Sequence, residues 1–293
     1  MKISISLTNY SWSADPGDLS RHLREIAQRA DTGGVDTLWV PDHLLQMDPT
    51  SDIGEPMLEA YSTLAFLACA TDRVRLGTMV TWASIRPPAL LVKAVTTLDV
   101  LSGGRSWLGI GAGYQGDEAA MLGLPFPATA ERFARMEEIL RLADHMWNGE
   151  QDPFEGPFHR LERPIGSPPP VARPRILIGG MGEQRTLPLV ARYADACNLF
   201  DIPDGGETVR RKLEALRRAC EAVGRNPQDV EVTLSSRLAP NETAGEFVDR
   251  CRAMADQGID HVVLVGNGPW TQDPLNTVAG SIAVLNATSS PGR

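Results

Sequence analysis

Long apolar runs are absent: none approaches the roughly 20 residues a membrane-spanning helix needs. Cysteine is scarce. The 293 residues hold four, Cys69, Cys197, Cys220 and Cys251, with no CxxC pair and none beside a His at ligand spacing. That excludes a disulfide framework and a thiolate metal site. The apolar setting of each predicts a buried free thiol in a reducing compartment. Other metal and nucleophile motifs are missing too: no HExxH, no HxH, no carboxylates clustered at ligand spacing, no calcium loop, no Gly-x-Ser-x-Gly elbow. A hydrolase would have neither a metal nor a visible nucleophile, so the chemistry points to a bound organic cofactor. A basic face is also lacking. The net charge of −9 and a pI near 5.1 argue against a nucleic-acid surface. The basic clusters Arg210-Arg211-Lys212 and Arg217-Arg218 alternate with Glu207, Glu214 and Glu221 and read as a solvated helix face. Met1-Lys2 leads straight into strand-like Ile3 to Leu7, with no leader-like run, so a cytoplasmic protein is expected.

What the chain does contain is a rhythm. The clearest unit runs from Val74 to Glu118. A β-branched strand (Val74 to Val80) precedes a helix with Leu90, Leu91, Ala94, Val95, Leu98 and Leu101 at helical spacing. Gly103-Gly104 stops the helix, and a second strand (Trp107 to Ile110) opens into Gly111-Ala112-Gly113. Strand, helix, strand within about forty residues is a parallel βαβ unit. Other strands are expected at Ile3–Leu7, Thr37–Val40, Arg175–Ile178, Asp195–Phe200, Val230–Leu234 and His261–Val265. Helices are expected from Asp15-Pro16, over Met57–Ala70, Ala130–Trp147, Gln184–Tyr193, Thr208–Val223, Glu246–Ala255 and Leu275–Leu285. Eight strands each followed by a helix predict an α/β fold, a (β/α)8 TIM barrel, with an open doubly wound sheet as the alternative. A single domain, 1–293, is expected. Asn148 to Arg175 breaks the rhythm: it holds seven of the 22 prolines and reads as an insertion before strand five, a hairpin turning at Gly156 and lying over the barrel mouth. The tail, about 286–293, is expected to fray.

In a barrel the site lies at the carboxyl ends of the strands. That rule selects Thr8-Asn9 with Trp12, Asp42-His43, Thr78 to Ala83, Gly111 to Tyr114, Gly179 to Glu183, Asn198 to Asp201, Ser235 to Arg237 and Gly266-Asn267. His43 is the best single candidate, since it directly follows a buried strand and can move a proton near neutral pH; Asp42 beside it would orient or charge it. His22, His145 and His261 read as structural or exposed; His159, in the insertion, reads as structural ahead of a lid residue. Gly109-Ile110-Gly111-Ala112-Gly113 is GxGxG after the fourth strand, not a dinucleotide fingerprint, and its glycines read as clearance for a flat ligand. Gly179-Gly180-Met181-Gly182 precedes a helix and has more glycine than a turn requires, which suits anion binding by backbone N–H groups.

Together, Asp36 to His43, Leu76 to Val80, Leu98 to Arg105, Gly109 to Gly113, and Ile176 to Gly180 with Arg192 to Asp195 resemble the luciferase-like monooxygenase superfamily, and within it the branch that uses the deazaflavin coenzyme F420. The resemblance covers Lys2 to about Gly268. It implies a TIM-barrel oxidoreductase that transfers a hydride between F420 and a small organic substrate. It also implies a homodimer. Asp42 and His43 would lie beside the ring, with His43 the proton donor or acceptor. A non-proline cis peptide would fall at Met79-Val80, behind the ring, with Thr81 and Asn9 also in the cofactor site. Ala112, Gly113 and Tyr114 would line the ring edge, and Gly180, Met181 and Gly182 would take the phosphate. Trp12, Trp82 and Tyr114 would form an apolar pocket over the ring. Two departures matter. Tyr114 stands where some relatives carry a Glu proton donor, and Met181 interrupts a glycine run. Ala112 replaces an Arg that several flavin-using relatives carry for phosphate, which favours F420 over FMN. An FMN-dependent monooxygenase and a non-catalytic cofactor-binding barrel are the alternatives.

Overall fold

The computed structural model describes residues 1–48 and 51–289. The first half contains β1 (Lys2–Ser6), α1 (Leu19–Thr32), β2 (Thr37–Val40), α2 (Ala60–Ala70), β3 (Arg75–Thr78), β4 (Thr81–Trp82), α3 (Pro88–Ser102), β5 (Ser106–Gly111), α4 (Gly116–Leu122) and α5 (Thr129–Trp147). After it come β6 (Phe154–Glu155), β7 (Arg160–Leu161), β8 (Arg175–Gly179), α6 (Thr186–Tyr193), β9 (Ala196–Phe200), α7 (Glu207–Ala222), β10 (Glu231–Ser236), α8 (Ala244–Asp256), β11 (His261–Val265) and α9 (Gln272–Ser289). All pairings in the large sheet are parallel. The ring runs β1, β2, β3, β5, β8, β9, β10, β11 and closes when β11 pairs with β1. β4 continues β3 past a break and pairs with the end of β5. The expected TIM barrel is the fold; the open sheet is excluded by the closing pair, in which Ile3 lies opposite Val262 and Ile5 opposite Leu264.

The strands read as apolar runs because both faces are covered. Ile3, Ile5, Leu38, Val40, Val262 and Leu264 join the core between strands and helices. Trp39, Trp107, Leu177, Ala196 and Val263 form a separate core inside the ring, with Met79 and Val80 packed on it. The amino end of the ring is sealed by charge. Glu231 accepts hydrogen bonds from Lys2 Nζ (2.8 Å), Arg175 Nη1 (2.9 Å) and His261 Nδ1 (2.8 Å). His261 Nε2 meets Ser4 Oγ at 2.5 Å, and that oxygen also accepts the Thr37 N–H at 3.0 Å. Ser, His and Glu thus stand in the order of a hydrolytic triad. Ser4 and His261 are 0% exposed, so no substrate reaches them, and the chain of bonds is a structural plug.

Several expectations are corrected. α2 begins at Ala60, not Met57, because Glu59 caps it: its carboxylate accepts the N–H groups of Tyr61 (3.2 Å) and Ser62 (2.7 Å). Three cysteines are buried, but Cys69 on α2 is exposed. Helix α9 runs to Ser289, so 286–289 are helical, while 290–293 lie outside the described residues, as do Pro49 and Thr50 of the loop after β2. In the insertion β6 and β7 form the expected antiparallel hairpin. It is strapped to α5, and its His159 shares a cavity with Ala83 to Pro88, the segment that follows β4 at the carboxyl end of the strands. Buried Glu138 accepts the Phe158 N–H (2.8 Å) and binds His159 Nδ1 (2.5 Å), Arg135 lies over the Phe158 ring, and Arg141 over Phe154. His159 is therefore a clasp on α5.

Candidate active site

The end of β2 carries Pro41-Asp42-His43, and the two functional side chains part company. Asp42 is 2% exposed and turns toward the end of β4. It accepts the Trp82 N–H at 3.0 Å and is gripped by both Nη atoms of Arg86, Nη2 at 2.7 Å. Arg86 Nη2 also reaches Glu59 Oε1 at 2.9 Å. Burial works against the charge of Arg86, but the Asp42 carboxylate outweighs it and holds the guanidinium pKa above its ordinary value. Asp42 thus ties β2 to the β4–α3 loop and does not steer His43. That expectation is corrected.

The residue that steers His43 is Glu118. His43 Nδ1 lies 2.7 Å from Glu118 Oε2, while Glu118 Oε1 accepts the N–H groups of Leu44 (2.6 Å) and Leu45 (3.1 Å). Glu118 is 1% exposed, on the first turn of α4. Burial alone would raise its pKa; the His43 hydrogen bond and the two amides overcome that and hold the carboxyl below its ordinary value. A carboxylate on Nδ1 fixes the proton there and leaves Nε2 to exchange protons. Nε2 of His43 meets no partner among the described residues. Tyr114 packs edge-on to His43, ring centroids 6.0 Å apart, and is 73% exposed. Partial desolvation and then the Glu118 charge push the phenol pKa up, which makes it a poor proton donor at neutral pH. Sequence reasoning missed Glu118. It lies 75 positions from His43, and its signal was a carboxylate opening a short helix just past the strand-end glycines.

The other expected residues fall into three groups. At the β3–β4 break the Met79-Val80 peptide is cis, as the resemblance implies. Thr81 Oγ1 is turned into the wall, toward Tyr61 OH and Thr78 Oγ1, each 2.7 Å away. The glycines after β5 act differently from the expectation. A Cβ on Gly111 would lie 2.7 Å from Val80 Cγ2, and one on Gly113 2.1 Å from Trp82 Nε1. They give clearance to the break and to the Trp82 indole, and the surface they allow is built from those side chains. Asn9 is 3% exposed and spent on Ser51 Oγ (2.8 Å) and the Ser11 N–H (2.8 Å). Trp12 donates to the Trp270 carbonyl at 2.6 Å, across the β11 loop.

After β8, Gly180 adopts φ +117°, a backbone suited to glycine, and its N–H goes to the Asn198 carbonyl. No acceptor among the described residues meets the amides of Met181, Gly182 or Glu183. A Cβ on Gly182 would come within 2.9 Å of Thr186 Oγ1, so glycine here leaves room at the start of α6. Met181 is turned aside: its sulfur accepts the Phe200 N–H at 3.4 Å. Glu183 is held off by Lys212 Nζ at 2.6 Å and Arg211 Nε at 3.4 Å. Free amides, glycine and a helix start fit a phosphate group. Buried polar atoms without partners, Trp82 Nε1, Tyr10 OH and Thr8 Oγ1, stand at the ends of strands around the same mouth. Among the described residues no group of His, Cys, Asp and Glu could hold a metal, and no helix is long and apolar enough to cross a membrane.

Fold and side chains define a class: a closed parallel (β/α)8 barrel whose titratable residues and glycine-rich turns converge on the carboxyl end of its strands. The particular family follows from comparison. The model of the luciferase-like monooxygenase family matches residues 1–284, and the chain belongs to that family. It is 32% identical to an F420-dependent glucose-6-phosphate dehydrogenase of Kineococcus radiotolerans, over 80% of this chain and 68% of that protein. It is also 32% identical to the enzyme so named from Amycolatopsis mediterranei, over 80% and 70%. An F420-dependent secondary alcohol dehydrogenase, solved with an F420-acetone adduct, shares the fold with a TM-score of 0.80, at 17% identity over 97% of this chain and 99% of that one.

Proposed function

We propose that this chain is an F420-dependent oxidoreductase that moves a hydride between the deazaflavin and a small organic substrate, with His43 giving or taking the proton. The observation that carries it is the Glu118–His43 pair at the end of β2, in a chain whose relatives at 32% identity are named F420-dependent dehydrogenases. Bound F420 supplies the hydride chemistry. The chain supplies the rest. Met79 and Val80 would back the ring, Ala112, Gly113 and Tyr114 would line its edge, and the Gly180-Met181-Gly182 amides would hold the phosphate. His43, with Nδ1 fixed by Glu118, moves a proton at Nε2. Asp42 and Arg86 keep the wall behind it in place. The single domain spans the described chain, with the hairpin an ordered strap. Equilibrium titration tests the cofactor: F420 is expected to bind and FMN to bind far more weakly, and tight FMN binding with no F420 binding would leave the monooxygenase alternative in its place.

A homodimer through α2 and α3 also belongs to this reading. The two helices carry only two charged residues, Lys93 and Asp99, and α3 holds Leu90 and Leu101 at 59% and 60% exposure. An apolar helix face left in water marks an interaction surface, and two-fold pairing covers it with itself. Light scattering is expected to give a dimer for the native chain and a monomer for Leu90→Glu with Leu101→Glu. An unchanged mass in the double variant refutes this face.

A further inference from the structure

We propose that the substrate is an uncharged, largely hydrocarbon molecule, and that sugar phosphates are excluded, although the relatives at 32% identity are named for glucose 6-phosphate. The inference rests on the reading of the barrel mouth as the active site.

Two independent features of the mouth carry it. The first is apolar exposure. Of the fourteen large apolar side chains most open to solvent among the described residues, seven stand on the segments that follow β2, β5 and β9, and an eighth, Phe200, is the last residue of β9. They include Leu44, Ile53, Tyr114, Phe126, Phe200 and Ile202. Phe126 lies edge-on to Trp82 at 5.8 Å, and Tyr114 to His43 at 6.0 Å, so this apolar rim is continuous with the residues around the proposed ring site. Hydrocarbon concentrated at one rim gains free energy only by covering another apolar surface.

The second feature is charge. The eight loops that leave the carboxyl ends of the strands carry eleven Asp or Glu, three Arg and no Lys. The three Arg do not converge. Arg86 is taken by Asp42 and Glu59, and Arg185 lies over the Phe133 ring. Arg237 holds the β11 loop through the Gly266 carbonyl and Asn267 Oδ1. A phosphate monoester is a dianion at neutral pH and needs cations or amide donors converging on it to leave water, and the one amide cradle described, Gly180 to Gly182, is assigned to the cofactor. The cations that α5 and the hairpin bring to this end are engaged as well: Arg135 with Glu131 and the Phe158 ring, Arg132 with the Pro127 carbonyl and the Phe126 ring, and His159 with Glu138. A dianion would thus meet only engaged cations in an acidic surround, which repels it.

The test is binding to the purified full chain, with and without F420, by calorimetry. The probes are a series of uncharged cyclic alcohols and ketones graded in hydrocarbon size, with glucose 6-phosphate beside them. Affinity is expected to rise about two- to fourfold per added methylene, the gain from burying that surface. Glucose 6-phosphate should not bind detectably, and Arg237→Ala should change neither result. A flat series overturns the proposal. So does glucose 6-phosphate binding more tightly than every alcohol, with a tenfold or greater loss in Arg237→Ala. Because the series is read on the cofactor-free protein as well, a failed F420 titration sinks the cofactor reading and leaves the substrate inference to stand or fall on its own slope.

Discussion

Replacing His43 by alanine is expected to lower turnover about 10²- to 10⁴-fold, the usual contribution of a positioned acid or base, while F420 affinity stays unchanged. The expectation follows from geometry. His43 sits at a strand end, its Nδ1 is bound 2.7 Å from Glu118, and its Nε2 has no partner among the described residues. A companion variant separates proton transfer from packing. Glu118→Gln keeps the volume and one oxygen for the Leu44 and Leu45 amides but cannot accept from Nδ1 with a full charge. Turnover should fall about 10- to 100-fold, as when the second partner of a functional His is lost, with KM for substrate little changed. Glu118 itself titrates in a defined direction. Its pKa is held below the ordinary value, so the contact is intact at neutral pH and is lost as pH falls through that depressed value. Stopped-flow turnover with any accepted substrate decides the matter: undiminished rates in His43→Ala would remove His43 from the mechanism.

The barrel was legible because buried parallel strands are short continuous apolar runs, and runs such as Thr37 to Val40 and His261 to Val265 stand out between amphipathic helices. Asp42 and His43 were legible for the same reason: they directly follow such a run. What they bind was not. Asp42 meets Arg86 44 positions later, and His43 meets Glu118 75 positions later. Adjacency in sequence suggested that Asp42 would steer His43, but Pro41-Asp42-His43 is leaving a strand, where successive side chains point apart. The ring closure brings the loops after β2 and β5 together, and only then does Glu118 become a neighbour of His43.

Glycine misled in one place and informed in another. Gly111 and Gly113 suggested room for a ligand, yet the space is filled by Val80 and the Trp82 indole. No sequence pattern marks that β3 breaks before β4; the cis peptide was reached through resemblance alone. At Gly180 and Gly182 the expected turn before a helix is there, since the positive φ of Gly180 and a helix start are local properties that composition can signal. The insertion was legible as a hairpin with its turn at Gly156, but its docking on α5 depends on Glu138, a buried carboxylate that the periodicity of α5 gave no reason to single out.

The largest effect on stability is expected at the opposite end of the barrel from the chemistry. Glu231 gathers Lys2, Arg175 and His261 and is itself only 10% exposed. Burial by itself would raise its pKa; His261 and Lys2 overcome that and hold the carboxyl far below its ordinary range. Glu231→Gln leaves three donors around a neutral amide whose one oxygen can still serve Lys2 and Arg175, while its NH2 group meets His261 Nδ1 as a second donor. Breaking a fully buried charged network costs about 3–5 kcal/mol; Lys2 and Arg175 are 45% and 30% exposed, so screening sets the expectation nearer about 2–3 kcal/mol, still a large share of the roughly 5–15 kcal/mol that holds a domain folded. The sign with pH is fixed by linkage. A depressed carboxylate contributes stability that is fully present above its unfolded pKa and disappears as pH falls toward the folded one. The gap between native chain and variant should therefore be full at pH 7 and narrow below about pH 4. F420 affinity at permissive temperature should not change, since the plug lies at the amino end of the strands and the site at the carboxyl end. Urea unfolding at both pH values measures the gap. A variant as stable as the native chain at pH 7, or a gap that stays constant into acid, would show that closure of the ring rests on apolar packing and not on this plug.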